Sequence, residues 1–395
     1  MTLFGLRVER RVGVPAWASF AVPFISAAVA AALLAVLLAA TGQDPIATYT
    51  RMFEIAFVGA DSISATLTAA TPIMLTGLAI AVSFRMKAWN LGGEGQLYVA
   101  AAAAAAVGIA LGDSPIGLAV LAMIAAGAVA GALWVLGPSI LRVRLHTTEL
   151  LTTLMLNYVA ALLLLYLIFS SSSYVRDTSP AALVYPQGKV IGESAAWPSV
   201  TIGEIVLPLG YLIGLASAVT LYVCMRFTRF GFFIRVIGDA SATARYAGIR
   251  TNRVFLIVML LSGALAGLAG ASQIGDFSYT LEPRGLVSAQ YAWTGVIVAL
   301  IASLNPLGVV VTSFVVGGLR SAGFELQSSQ FPSGLIGTME GLILWCIAIG
   351  LVLVHFRITR SSGLAQERDR KAVVQPVEAQ PAHGTGILPS ENGKL

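Results

Sequence analysis

Charge is what this sequence has least of. Lys, Arg, Asp and Glu make up 11% of its 395 residues, whereas a soluble domain carries roughly 25%. So little charge excludes an ordinary water-facing surface, and lipid has to cover most of the chain. Cysteine is nearly absent as well. Cys224 and Cys346 both fall within apolar runs, which excludes a disulfide framework and offers no metal-ligand spacing; both read as packing residues. The three histidines, His146, His355 and His383, lie far apart and do not form a metal set. The sequence has no G-x-x-x-x-G-K-[ST] run to cradle nucleotide phosphates and no H-E-x-x-H. Glu94, Asn157 and Glu340 are polar residues in or beside apolar runs, but they form no recognisable acid–base motif. The reading is of a chain that is not an enzyme, with neither a metal nor a cofactor of its own.

What is abundant is apolar sequence: 57% of the residues, with a mean hydropathy of +0.84. The fold class is therefore an all-α integral membrane protein. Apolar runs long enough to cross a hydrocarbon core of about 30 Å lie near 19–40, 61–83, 95–111, 115–141, 149–170, 204–225, 253–274, 289–304, 306–320 and 335–355. The first follows Arg7, Arg10 and Arg11 and is too long for the core of a signal peptide, so it reads as an uncleaved span. Asn305-Pro306 divides the eighth and ninth, which read either as two short spans or as one broken element. Gly, Ala and Ser crowd Ala100–Val107 and Ser262–Gly270, as expected where helices approach closely in lipid. The domains are a short N-terminal segment (1–18), one transmembrane domain (19–356) and a polar tail (357–395) with the composition of a disordered segment.

Ten spans put both termini on one side. Five basic residues, Arg51, Arg176, Lys189, Arg284 and Arg320, then fall in one set of loops, and the other nineteen of the 24 fall in the opposite set. The positive-inside bias places both termini and the loop 226–252 in the cytoplasm, with the loop 171–203 outside. The net charge of +5 is thus a matter of topology, and nucleic acid is not an expected partner.

Two segments break the apolar pattern. The first is Trp89-Asn90-Leu91-Gly92-Gly93-Glu94-Gly95-Gln96, between the second and third spans. Each Gly costs about 1 kcal/mol against Ala in a helix. Such a run reads either as a tight cytoplasmic turn, with Glu94 at the positive end of the next helix, or as non-helical backbone lining a pathway. The second is Gly231–Arg250, where Asp239 or Ser241 caps a short helix running to about Tyr246 and Gly248 ends it. It reads either as an amphipathic helix on the cytoplasmic face or as a plain anchoring loop.

Together these segments resemble the permeases of binding-protein-dependent ABC importers, in the simple-sugar, branched-chain amino acid and nucleoside group. Gly238–Ile249, with Ala244-Arg245-Tyr246-Ala247-Gly248-Ile249, is similar to the coupling motif of that group. Asn90–Gln96 resembles the N-x-G-x-E-G-Q signature of its nucleoside-type branch. Ser262–Gly267 and Asn305–Gly308 extend the likeness over most of the chain. The resemblance implies a permease in a bacterial inner membrane. Its coupling contacts with a separate ATPase, which carries the ATP and Mg, would be Gly238, Ala244, Arg245 and Gly248. It also implies an extracytoplasmic binding protein and a second, non-identical permease; the length and exposed position of the loop 171–203 make it the landing site for the binding protein.

A nucleoside, neutral and flat with a polar ribose, calls for aromatic faces and hydrogen-bonding groups. Trp89, Asn90, Gly92, Gly93, Glu94, Gln96 and Asn157 are the candidate pathway residues, with Tyr98 and Tyr158 of suitable chemistry nearby. The alternatives are a sugar permease of the same group and an ion-coupled secondary transporter, for which Glu340 is the obvious intramembrane carboxylate.

Overall fold

The computed structural model describes residues 2–3, 6–10, 16–170, 172–326 and 356–360, together with scattered positions between 334 and 350. After two short N-terminal strands come two helices, α1 (Ala16–Ala40) and α2 (Pro45–Phe57), whose axes bend by 118° at the break between them. Asp44 produces that break, since its carboxylate accepts the N–H groups of Ile46 and Ala47 ahead of Pro45. There follow α3 (Ala60–Arg85), α4 (Gly93–Ala110), α5 (Ile116–Leu145) and α6 (Glu149–Leu165), the last extended by a π-helical turn to Ser170. A short α7 (Pro180–Val184) lies in the next connection. Then come α8 (Leu209–Phe227), α9 (Arg229–Tyr246) and α10 (Thr251–Ser272), the last with a π-helical extension to Ser278. Finally come α11 (Pro283–Ala289), α12 (Tyr291–Ile301) and α13 (Pro306–Glu325).

The described residues hold eight segments long and apolar enough to cross a membrane, or nine with the bent α1–α2 pair counted as one. The span expected at 335–355, with Glu340, lies outside the described residues apart from scattered positions. The sixth span starts later than its sequence expectation of 204. Residues 199–208 instead form a hairpin, β3 (Ser199–Ile202) with β4 (Ile205–Pro208), turning at Gly203 with φ +65°. The eighth and ninth expected spans are separate elements: Asn305 caps α13 through the Leu307 N–H, with Pro306 at its first position.

Helix α3 is the hub. Seventeen of its 26 residues are buried, among them the whole run Ala70–Phe84. It packs against α10, α12, α13 and α8. A helix apolar on every face belongs in the centre of such a bundle. By contrast α5, α6 and α8 turn Leu121, Val129, Leu133, Leu162, Val219 and Val223 outward, the surface that lipid covers.

Small residues set the tightest crossing. Gly127 and Gly131 of α5 meet Gly263 and Gly267 of α10, each pair four residues apart on one helix face. A Cβ at Gly131 would sit 2.3 Å from the Gly263 carbonyl oxygen, and one at Gly267 would sit 2.2 Å from that of Gly127. The backbones themselves are in contact, so no side chain can yield.

The connections gather at two ends. At one, α9 lies beside the end of α3, and Arg142 pairs with Glu149 at 2.8 Å. At the other, residues 172–208 are stitched across the bundle. Gly188 N–H donates to Leu281 O (2.8 Å), Ile191 N–H to Tyr279 O (2.9 Å) and Trp197 N–H to Gly275 O (2.9 Å). At the termini, β2 (Leu6–Arg10) pairs with β1 (Thr2–Leu3) and with β5 (Phe356–Arg360). Residues 357–360, assigned from composition to a disordered tail, are therefore in a strand; the remainder of that tail lies outside the described residues. Both cysteines are free thiols.

The α5–α10 contact generates a prediction with its own control. Gly131→Leu should destabilise the protein by at least about 1–3 kcal/mol, the usual cost of overpacking. It would be read as a lower thermal midpoint of the detergent-purified protein. Gly137→Leu on the same helix should be near neutral, because a Cβ there meets nothing within 4 Å.

Candidate functional site

Helix α3 stops at Arg85, and Lys87 turns the chain with φ +59°. Residues 88–92 then run without helical structure back between helices before α4 begins. Asn90 is fully buried there, and its amide uses all four of its hydrogen-bonding positions. Nδ2 donates to Ser262 Oγ (2.8 Å) and Gln96 Oε1 (3.1 Å); Oδ1 accepts from Gln96 Nε2 (2.8 Å) and Gly92 N–H (3.1 Å). Ser262 in turn donates to Ala79 O at 2.8 Å.

Those partners fix the depth. Ala79 lies six residues before the end of α3 and Ser262 eleven residues after the start of α10. At 1.5 Å per residue these are about 9 and 16 Å from the helix ends. The glycine-rich run thus lies inside the bundle rather than in a turn at its surface, with 88–92 non-helical and Gly93–Gln96 forming the first turn of α4. Backbone at such depth has to find partners within the protein, and Asn157 of α6 supplies two of them. Its Nδ2 donates to Leu91 O (2.8 Å) and its Oδ1 accepts from Gly95 N–H (2.9 Å). The glycines give room for these neighbours. A Cβ at Gly92 would lie 2.9 Å from Gln96 Nε2, at Gly93 2.8 Å from Ala292 Cβ, and at Gly95 3.0 Å from Asn157 Oδ1.

A second break faces the first. Helices α11 and α12 are separated by Gln290, which is left-handed at φ +49°. Glu94 caps the N-terminus of α12: its Oε1 accepts from Ala292 N–H (2.9 Å) and Trp293 N–H (3.3 Å). Arg320 serves the end of α11, where its guanidinium donates to Ala289 O and lies 4.7 Å over the Tyr291 ring. Carboxylate on the positive helix end and guanidinium on the negative one is the arrangement that helix dipoles favour. Arg320 was expected in an external loop. It lies instead within α13, which runs to Glu325 and turns the guanidinium into the bundle.

Of the expected pathway residues, Asn90, Gly92, Gly93, Glu94, Gln96 and Asn157 come together. Trp89 does not join them. It is 44% exposed and meets Phe84 edge-on at 4.8 Å. Tyr98 is buried beside Glu94, whereas Tyr158 faces outward. Sequence reasoning missed Arg320 and also Asp276, whose Oδ2 caps α8 through the Gly210 N–H at 2.9 Å. The available signal was a charged residue at the edge of an apolar run. Among the described residues no group of three or more His, Cys, Asp or Glu is placed to hold a metal ion.

The second segment is α9. Thr228 caps it, accepting from Gly231 N–H at 3.2 Å, and it breaks at Ala240 (φ −149°, ψ 77°), leaving a short helix to Tyr246. Its end has the two bonds of a Schellman motif, Ile249 N–H to Ala244 O and Gly248 N–H to Arg245 O, both 3.0 Å. Gly248 takes the left-handed position at φ +78°. Gly238 and Ala244 are buried, and a Cβ at Gly238 would lie 2.5 Å from Arg85 O. Arg245 is exposed and Tyr246 is 95% exposed. The expected end at Tyr246 with Gly248 beyond it is present, but the helix expected to start at a cap on Asp239 or Ser241 is the second half of α9, set off by the kink at Ala240, and the cap is Thr228 at the start of α9.

The amide network makes Asn90 and Gln96 interdependent. Asn90→Ala should lower stability by about 1–3 kcal/mol, because Ser262, Gly92 and Gln96 each lose a partner in a dry interior. Adding Gln96→Ala should cost much less than it does alone, which thermal melts of the two single variants and the double variant would measure.

Comparison with known proteins places these features in context. The family model described as the branched-chain amino acid transport system / permease component matches residues 62–354. The guanosine ABC transporter permease protein NupP of Bacillus subtilis is 30% identical over 83% of this chain and 92% of its own length. The glucose ABC transporter permease protein TsgB13 of Haloferax volcanii is 28% identical over 92% of this chain and 95% of its own. The nucleoside ABC transporter permease protein NupB of Lactococcus lactis is 27% identical over 84% and 91%. No solved structure matches. With its match to the model over more than half its length and its set of long apolar helices, the chain is a multi-pass inner-membrane protein and belongs to the family of permease components of the branched-chain amino acid transport system.

Proposed function

We propose that this chain is the membrane-spanning permease subunit of an ABC importer and forms the translocation pathway for nucleosides. The observation that carries the pathway is the meeting, inside the bundle, of the non-helical segment 88–92 that leads into α4 with the break at Gln290 between α11 and α12. Interrupted helices beside one another are where transporters place solute sites. Support for a nucleoside comes from the Asn90–Gln96 segment and from relatives named for guanosine and nucleosides. A sugar is the second reading, favoured by the relative named for glucose.

The motor is a separate ATPase carrying ATP and Mg. Its contact is the second half of α9, where Arg245 and Tyr246 stand free while Gly238 seats the helix on α3. This end of the bundle is cytoplasmic. It gathers Arg85, Lys87, Arg142, Arg144, Arg226, Arg229, Arg235, Arg245, Arg250 and Arg253, against Arg176, Lys189 and Arg284 in the connections at the other end. The pairing of β2 with β5 supports the reading that both terminal segments share that side. An extracytoplasmic binding protein delivers solute at the outer end, over 172–208. A second, non-identical permease completes the pathway.

The test is uptake in proteoliposomes. The whole importer should accumulate labelled guanosine with ATP inside, and this chain without its ATPase should not. Accumulation by this chain alone under an ion gradient would overturn the ABC reading. Gly248→Trp puts a side chain at φ +78°, which L-residues rarely adopt. It should lower coupled uptake by at least about tenfold, since each factor of ten reflects only about 1.4 kcal/mol. Unchanged uptake would remove Gly248 from the coupling contact.

A further inference from the structure

The Glu94 carboxyl is 96% buried, and its two oxygens have different fates. Oε1 holds the N-terminus of α12 through two N–H groups. Oε2 is buried too and has no hydrogen-bond partner in the protein. The Tyr98 hydroxyl is close enough to interact with the Glu94 carboxyl, but its hydrogen bond, a long one of 3.5 Å, goes to Val287 O, so it does not serve Oε2 as a well-formed donor. A buried carboxyl oxygen without a donor forfeits about 1–3 kcal/mol or more, so a stable protein retains one only where something else supplies the donor.

The surroundings indicate what that is. Glu94 lines a narrow recess with Ile80, Leu91, Gly93, Ala292, Trp293 and Val296; it is too tight here to hold a water molecule, so it has to widen to take a solute. Apart from the carboxyl, these side chains are apolar, and one of them is a flat indole. The recess sits where the two helix breaks meet. Of the buried polar groups of the first break, Asn90 and Gln96 are spent on each other, Asn157 on backbone and Ser262 on Ala79, while Gln290 of the second break is exposed. Arg320 is committed to Ala289 and Tyr291. A solute anion would normally favour a half-helix N-terminus, but Glu94 already occupies that of α12.

We infer that Glu94 Oε2 is a solute-contacting acceptor, taking a hydrogen bond from an N–H or O–H of an uncharged solute whose flat ring lies along Trp293, and that the same carboxylate turns anionic solutes away. An apolar recess with one indole face and one acceptor suits the ring N–H of a nucleobase better than a sugar, which presents hydroxyls all round. The inference rests on the pathway reading above and adds to it the residue that reads the solute.

The test pairs a protein substitution with a solute substitution, so that the contribution of the binding protein cancels. In Glu94→Gln the two α12 N–H groups require the amide oxygen, which leaves the NH2, a donor, facing the recess. Uptake by the reconstituted importer would be measured for inosine, for its N1-methyl analogue, and for analogues lacking a single ribose hydroxyl. In the wild type, removing the donor that Glu94 reads should slow uptake at least about tenfold, given that a bond to a charged group is worth about 1.5–3 kcal/mol. In E94Q uptake of inosine should already be slow, and removing that donor should make no further difference. If the two losses multiply for every analogue, Glu94 is a structural cap only and the inference fails. If E94Q does not assemble, Trp293→Leu keeps the backbone N–H that Glu94 holds and removes the flat wall. It should slow inosine uptake at least about tenfold, and unchanged uptake overturns the recess as the site. A wild type that takes up glucose and no nucleoside defeats the nucleoside reading instead; deoxyglucose analogues then run the same cycle on Glu94.

Discussion

Backbone polar groups cannot be left without partners away from water, and the centre of this structure is arranged around that constraint. Helical structure is interrupted twice inside the bundle, at 86–92 in the connection from α3 to α4 and at Gln290 within the α11–α12 span. Each interruption frees N–H and C=O groups that lipid cannot satisfy. The protein meets them with side chains from other helices: Asn157 takes Leu91 O and Gly95 N–H, Glu94 takes two N–H groups of α12, and Arg320 takes the last carbonyl of α11. Three residues far apart in sequence therefore fix one geometry, and removing any of them leaves backbone without its partner in the protein interior.

The rest of the bundle allows those side chains to reach. Gly127 and Gly131 against Gly263 and Gly267 bring α5 and α10 into backbone contact, and Gly270 does the same for α10 against α4 near Leu97. The close approach of α10 puts Ser262 within 2.8 Å of both Asn90 and Ala79. On the α9 end, Gly238 lets the kinked helix sit on Arg85 O, next to the point where α3 gives way to the first break. A displacement of α9 would therefore be felt at Arg85, seven residues before Gly92. That is the physical route by which the proposed ATPase contact would act on the breaks.

Much of this was legible in the sequence. Apolar run lengths marked most spans, three glycines beside Asn90 and Glu94 marked the first break, and the Ser241-to-Gly248 pattern marked the short helix with its left-handed end. What the sequence hid depended on contacts between distant residues. The second break carries no glycine or proline at Gln290, so nothing local announced it. Arg320 sits one turn before the end of an apolar helix and looked like a loop cation, because only the bundle shows Ala289 O waiting for it. Trp89 was read together with its neighbours, yet the turn at Lys87 points it at Phe84 and away from the amide network. Residues 204–208 were apolar enough to pass for the start of a span, but the turn at Gly203 makes Ile205–Pro208 the second strand of a hairpin.

The central claim is that the buried breaks line a path open to water in part of a transport cycle. Cysteine accessibility at Leu91 tests it most directly, in a background with Cys224 and Cys346 replaced by Ala. In the assembled importer, Leu91→Cys should react with a membrane-impermeant maleimide in the nucleotide-free or the vanadate-trapped state, but at clearly different rates in the two. Solute should slow the reaction. A thiol at 91 that stays unreactive in both states, while the importer still transports, would contradict the account.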